Sequence, residues 1–263
     1  MMRDWDDAYA NSAYIPGAEA LPALWTQQAL DYRQSGVRID CDVPYGDAPR
    51  EVFDLIWPDQ TPKGLAVFVH GGYWMATDKS MWTHLAEGAR AQGWAVCLPS
   101  YTLAPDARIS QMTQQIQAAI RCAAGFVAGP IRIAGHSAGG HLVTRMACAG
   151  QGVDRLEHVT SISGLHDLRP LLQTKMNATL GLDMAEATAE SPALLRPSPA
   201  VRTTAWVGGN ERPEFIRQTQ LLGMMWNGFD TNISCHVDVG HDHFSVIEGL
   251  KDADSPLTNA FVG

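Results

Sequence analysis

The feature that most restricts how this chain can fold lies at residues 131–147, Ile-Arg-Ile-Ala-Gly-His-Ser-Ala-Gly-Gly-His followed by Leu-Val-Thr-Arg-Met-Ala. Ile131, Ile133 and Ala134 suit a buried strand, and Leu142, Val143, Met146 and Ala147 recur at helical spacing. Between them, Gly135-His136-Ser137-Ala138-Gly139 places glycine on both sides of Ser137. A sharp strand-to-helix turn brings two backbones together and needs such glycines, and it pushes the apex residue into the open. A serine hydroxyl at that apex is a poor nucleophile until a base takes its proton, so a catalytic reading of Ser137 requires a histidine and a group to orient it. A glycine-rich turn with a capping serine has the same pattern, so the choice depends on the remainder of the chain.

That remainder alternates strands with helices. Residues 37–43 and 51–57 alternate apolar and polar around the Tyr45-Gly46-Asp47-Ala48-Pro49 turn, which predicts two antiparallel strands at the edge of a larger sheet. Residues 65–69 and 94–99 are continuous apolar runs, as strands buried on both faces are. Further strands are predicted at 159–163, 203–207 and 233–239, and helices at 21–32, 79–91, 111–127, 213–226 and 244–250. This order predicts an α/β fold: a mostly parallel, doubly wound sheet with an antiparallel N-terminal edge. Residues 165–200 break the alternation with Leu168, Leu171, Leu172, Leu180 and Leu182, and predict a small helical cap inserted over the sheet's C-terminal edge. Residues 1–35 are polar with interspersed aromatics and predict an N-terminal arm or cap. The 263 residues show no repeat or linker, so one domain is expected over 1–263.

Composition excludes several functions. Hydrophobic residues make up 46% of the chain, enough for a sizeable core and too many for disorder. The net charge of -9, with no run of Lys or Arg, argues against nucleic acid and acidic membranes as partners. No apolar run has the length of a membrane span and the start lacks an apolar signal core, so a soluble cytoplasmic protein is expected. The five cysteines are scattered without metal-ligand spacing and are expected to be buried free thiols. Assembly with further copies of the chain, as a homo-oligomer, stays open.

The glycine-flanked polar clusters all fall at predicted strand ends, where α/β sheets gather ligands. Base candidates are His241 and His243; His243 is preferred because it immediately precedes an apolar helix start. The orienting acid is expected after a late strand. Glu211 lies nearer the strand end than Glu214, with Asp167 the runner-up and Asp242 too close to His243 to reach its ring. A carboxylate there is also what a helix N-terminus favours. An oxyanion needs backbone donors already aimed at it. The His70-Gly71-Gly72-Tyr73 loop offers the N–H groups of Gly72 with Gly71 or Tyr73, to be joined by that of Ala138. His84, His158 and His166 are isolated and read as structural; His136 and His141 flank the turn and read as packing, with a helper role to the serine as the alternative. His241-Asp242-His243 lacks supporting ligands, so no metal and no cofactor are expected.

These segments together resemble the α/β-hydrolase family of kynurenine formamidases (arylformamidases), near the hormone-sensitive-lipase type of esterase. The likeness is carried by His70-Gly71-Gly72-Tyr73-Trp74 and Gly135-His136-Ser137-Ala138-Gly139-Gly140. It continues through Tyr101-Thr102-Leu103-Ala104-Pro105, Asp167-Leu168-Arg169-Pro170-Leu171, Pro213-Glu214-Phe215 with Gln218, and Asp242-His243-Phe244. The resemblance implies an α/β-hydrolase fold, a Ser137, Glu211, His243 triad in that chain order, and an oxyanion hole near Gly71, Gly72 and Ala138. It implies a serine hydrolase acting on a small acyl substrate, an aryl formamide such as N-formylkynurenine first, with a carboxylic ester or thioester as alternatives. Animal members carry aspartate where Glu211 stands. Tyr73 and Trp74, with Trp5 and residues 165–195, are expected to wall an aromatic substrate pocket. A non-catalytic binding module of this fold would lack a nucleophile, base or oxyanion glycine, and none is missing.

Overall fold

The continuous apolar runs form the middle of one eight-stranded sheet. The computed structural model describes residues 3–263. Its strands are β1 (Ile39–Pro44), β2 (Val52–Ile56), β3 (Leu65–Val69), β4 (Ala95–Pro99), β5 (Ile131–His136), β6 (Leu156–Ile162), β7 (Arg202–Gly208) and β8 (Ile233–Asp238). They lie in the order β1-β2-β4-β3-β5-β6-β7-β8. β1 runs antiparallel to β2 and β2 to β4; every other pairing is parallel. The alternating N-terminal strands are therefore the antiparallel edge, and β3 and β4 are buried along their whole length.

Two cores flank the sheet, divided by the two-residue period of the strands. Leu65, Val67, Val69, Ala95 and Cys97 face one side, where they meet Ile116, Leu142 and Phe215 from the helices Ile109–Ala124, Ala138–Met146 and Pro213–Asn227. Ala66, Phe68, Val96 and Leu98 face the other, against Trp25 of the helix Leu21–Arg33 and Leu257 and Phe261 of the helix Pro256–Val262. Burying each large apolar side chain stabilises by about 1.5–3 kcal/mol. A one-residue slip would exchange the two faces, so this burial also fixes the register.

Two expectations are corrected, and one helix is added. The helix predicted over 79–91 is broken into Lys79–Met81, Thr83–Ala86 and Glu87–Ala91, of which only the last is α-helical. The Lys79 ammonium is drawn to Asp54 at 2.6 Å and Asp42 at 2.7 Å, and Trp82 leaves helical geometry to pack on Trp25. The helix Pro256–Val262 escaped the periodicity argument. Its signal is Ser255-Pro256, in which the serine hydroxyl caps the Thr258 N–H at 3.0 Å and proline takes the first turn. All five cysteines are free, but Cys41 and Cys235 are exposed, because they lie on the edge strands β1 and β8.

Between β6 and β7, residues 165–200 form the short helices Asn177–Leu180 and Met184–Ala189 with single 3-10 turns around them. Leu168, Leu171, Leu180 and Leu182 join the core beneath. Glu190 pairs there with Arg145 at 2.9 Å. Among the described residues no helix is long and apolar enough to cross a membrane.

Candidate active site

Three strand ends converge. β5 ends at His136, and Ser137 then adopts φ 55° and ψ -117° before the helix Ala138–Met146 begins. This is a sparsely populated conformation for a residue with a side chain and costs on the order of 1–3 kcal/mol. The neighbours hold it: the Ser137 N–H donates to Ile162 O at 2.8 Å, and its carbonyl accepts from the His141 N–H at 3.1 Å. A Cβ on Gly139 would lie 2.6 Å from His70 O and closer still to Val69 O, so only glycine lets this turn press against β3. Ala138, first in its helix, carries one of the helix's free N–H groups.

The loop after β3 lies against this turn. A Cβ on Gly71 would stand 2.8 Å from His136 O and 3.0 Å from Ser137 Cβ. His70 Nδ1 and the Thr77 hydroxyl each lie 2.9 Å from the Gly71 carbonyl. The Gly72 N–H, on the opposite side of the same trans peptide, therefore points the other way. Burial lowers His70 to about 4, so its ring is neutral, stacked on Tyr101.

His243, in the loop after β8, sets its Nδ1 2.7 Å from Glu211 Oε2. A carboxylate only accepts, so Nδ1 carries the proton and Nε2 of the neutral ring is a bare acceptor. Phe215 and His136 pack on the imidazole with ring centroids 4.5 Å and 4.6 Å away. Glu211, just after β7, is held by two further donors: its Oε1 accepts from the Gly208 N–H at 2.8 Å and from the Ser163 hydroxyl at the end of β6. Ser137 and His243 line one cavity without a direct hydrogen bond between them. Such bonds commonly tighten only around substrate.

The other candidates are engaged elsewhere. Asp167 forms a two-toothed pair with Arg169 at 2.8 Å and 2.9 Å. Burial works to raise its carboxyl, but the hydrogen bonds and charge of Arg169 hold it below the usual range. Glu214 is tied to Arg217, Gln218 and the Tyr9 hydroxyl. His141 sits fully buried with Nε2 2.7 Å from Glu190 O. Asp242 caps the Phe244 and Ser245 N–H groups at 2.9 Å. Among the described residues no cluster of three or more His, Cys, Asp or Glu is arranged to hold a metal.

The cavity has a volume of about 180 Å³. Gly71, Gly72, Ser137, His136 and His243 form its floor, and Tyr73, Trp25, Trp82 and Phe244 its aromatic walls. Asn11, Ser12 and Thr77 complete it, and no charged side chain lines it among the described residues. The N-terminal arm thus supplies Asn11, Ser12 and Trp25. It is fastened by the Tyr73 hydroxyl, which donates to Tyr9 O and accepts from Asn11 Nδ2 at 3.2 Å. Trp74, expected at the substrate, is instead fully buried, edge-on to His141. Tyr73 and Trp74 both have positive φ, 51° and 58°, and this tight bend leaves Tyr73 on the cavity and Trp74 in the core. Trp5 stacks on Tyr9 away from the cavity, and residues 165–195 do not line it. Trp25, Trp82 and Phe244 escaped the sequence argument because nothing local distinguishes them from core aromatics; only the neighbour of His243 carried a positional hint.

Comparison with known proteins agrees with this architecture. The profile of the alpha/beta hydrolase fold family matches residues 66–212. A kynurenine formamidase of Danio rerio is 28% identical over 231 residues, which span 82% of this chain and 78% of the relative. A solved structure from Silicibacter sp. TM1040 bearing a provisional thioesterase name is 46% identical, with TM-score 0.93 and 100% of both chains covered. Esterase B from Lactobacillus rhamnosis superposes with TM-score 0.73 at 18% identity, over 96% of this chain and 92% of that one, a likeness of fold. The chain is thus a hydrolase, and it belongs to the alpha/beta hydrolase fold family.

Proposed function

We propose that the chain is a serine hydrolase of small acyl substrates, with an aryl formamide of the N-formylkynurenine kind as the preferred class. The observation that carries this reading is the Glu211–His243 pair at 2.7 Å, opening on the same cavity as Ser137 at its strained turn. Ser137 Oγ attacks the carbonyl carbon while His243 Nε2 takes its proton. Glu211 holds the ring in the tautomer that leaves Nε2 bare and stabilises the imidazolium that forms. The Ala138 N–H and those of the Gly71-Gly72-Tyr73 loop bind the oxyanion. The C–N bond breaks as His243 returns the proton to the leaving nitrogen. A water, deprotonated by the same Nε2, then attacks the acyl carbon, and Ser137 regains its proton as the acid is released.

The walls support an aromatic, uncharged substrate portion. A cavity of about 150 Å³ accepts a benzene ring, and this one, near 180 Å³ and flanked by Trp25, Trp82 and Phe244, has room for a ring bearing a small acyl group. Esters and small thioesters are the second reading, favoured by the names of the structural relatives. The test is hydrolysis of N-formylkynurenine and p-nitrophenyl acetate by purified protein, with Ser137→Ala as control. A higher kcat/KM on the formamide, lost in the variant, is the expected result. Turnover of the ester alone moves the assignment to the esterases, and turnover that survives Ser137→Ala refutes the mechanism.

A further inference from the structure

Formamides and esters share one mechanism, so a group that separates them must read the atom beside the carbonyl. His136, the residue before Ser137, has the geometry for this. Its Nε2 lies 2.8 Å from the His243 carbonyl oxygen. A carbonyl only accepts, so Nε2 carries the proton and Nδ1 of the neutral ring is a bare acceptor. Burial, then the nearby His243, keep His136 well below the ordinary imidazole range, and the ring stays neutral. His136 lines the cavity, and its Nδ1 lies 3.5 Å from the position a Gly71 Cβ would take, a point itself 3.0 Å from Ser137 Cβ. Nδ1 therefore lies on the cavity beside the serine and the glycine loop, and no hydrogen bond occupies it among the described residues.

The other polar side chains of the cavity are committed, except that Asn11 Oδ1, an acceptor on the N-terminal arm, and Trp82 Nε1, a donor, have no partner among the described residues. The Thr77 hydroxyl is bound to the Gly71 carbonyl, Asn11 Nδ2 to the Tyr73 hydroxyl, and the Tyr73 hydroxyl to Tyr9 O. His243 Nε2 is assigned to the serine proton in the mechanism above, and Ser12 lies on the exposed rim. We infer that His136 Nδ1 accepts a hydrogen bond from the N–H of a scissile secondary amide and so selects amides over esters. This rests on the serine-hydrolase reading above. An ester presents lone pairs at the same place, where they would oppose that of Nδ1. No proton moves to His136: the leaving nitrogen keeps its own hydrogen and gains a second from His243 Nε2. His136 thus has two functions, holding the His243 backbone through Nε2 and reading the substrate through Nδ1.

The two functions separate by substitution. The amide of asparagine falls near the place of ring Nδ1, and that of glutamine near Nε2. His136→Gln keeps a donor for the His243 carbonyl and removes the acceptor; His136→Asn does the reverse. The readout is the ratio of kcat/KM for formanilide to that for phenyl formate, which differ only in N–H against O. The expected result is a fall in this ratio of about tenfold in His136→Gln, the size of one neutral hydrogen bond, and a ratio within about threefold of wild type in His136→Asn. Parallel losses on both substrates in His136→Gln leave only a structural role and refute the inference. Should His136→Gln not fold, the wild type decides: formanilide is expected to exceed N-methylformanilide by at least tenfold, and equal turnover refutes the proposal. Wild type hydrolysing neither formanilide nor phenyl formate would remove the serine-hydrolase reading itself, and this inference with it.

Discussion

Replacing Glu211 with glutamine changes charge and donor pattern but not shape, and the structure fixes what must follow. Oε1 accepts from the Gly208 N–H at 2.8 Å and from the Ser163 hydroxyl, and Oε2 accepts from His243 Nδ1 at 2.7 Å. Glutamine has one oxygen for these three donors. If that oxygen faces His243, the amide NH2 meets the Gly208 N–H in a buried site, at on the order of 1–3 kcal/mol for the donor left unsatisfied, even if the Ser163 hydroxyl turns to accept. If it faces Gly208 and Ser163, the NH2 is turned on Nδ1, and the imidazole proton shifts to Nε2, which restores all three bonds. The second arrangement wins, and in it His243 no longer accepts the Ser137 proton. The corresponding loss of a triad carboxylate lowers kcat by about 10⁴. We expect a fall of about 10³–10⁴ in kcat/KM, or about 4–5.5 kcal/mol of transition-state stabilisation, with a thermal midpoint within a few degrees of wild type. Steady-state hydrolysis of formanilide, with thermal unfolding of both proteins, measures both. Activity within tenfold of wild type would refute the tautomer argument. Asp167→Asn, which releases only Arg169, is expected to stay within threefold, and if it proves the damaging change the acid is Asp167.

The strain at Ser137 predicts that Ser137→Gly abolishes turnover yet stabilises the fold. Relief of a positive φ is worth about 1–3 kcal/mol against about 0.5–1 kcal/mol for the freedom of glycine in the unfolded chain; no gain in urea unfolding would contradict the strain. Burial holds His70 and His141 near 4 and His166 near 3. Their folded values lie below the unfolded value of about 6.5, so the unfolded state binds more protons as the pH falls. Their contribution is complete above about pH 6.5 and is lost on the way down to about pH 4 for the first two and pH 3 for the third, at up to about 1.4 kcal/mol per group per pH unit. A thermal midpoint that stays flat between pH 6.5 and 4.5 would contradict this. Excess EDTA is expected to leave hydrolysis unchanged, and a loss restored by a divalent ion would show a metal requirement.

What the sequence reveals here is what short range dictates. Apolar continuity marked β3 and β4 as strands buried on both faces, but alternation did not mark β2 correctly. Lying between β1 and β4, β2 is buried over most of its length, because what covers a strand is set by its neighbours and not by its own residues. The turn at Ser137 was legible because glycine at 135 and 139 answers a backbone clash within a few residues. Chain order nominated Glu211 and His243, and the structure brings their side chains together. Of the cavity wall only Tyr73 was legible. Asn11, Trp25, Trp82 and Phe244 are far apart in sequence, and their meeting depends on how the arm packs rather than on any local pattern. Trp74 shows the limit most clearly: adjacent to Tyr73, it belongs to the core because two consecutive positive φ values turn the chain between them.

The central claim is that Ser137 is the atom acylated during turnover. The direct measurement is intact and peptide-level mass spectrometry after reaction with a fluorophosphonate probe, for wild type, Ser137→Ala and Glu211→Gln. One adduct per chain, mapped to Ser137, absent from Ser137→Ala and formed far more slowly in Glu211→Gln, is the result expected. Wild type that stays active and unlabelled, or an adduct mapped to another residue, would contradict the account.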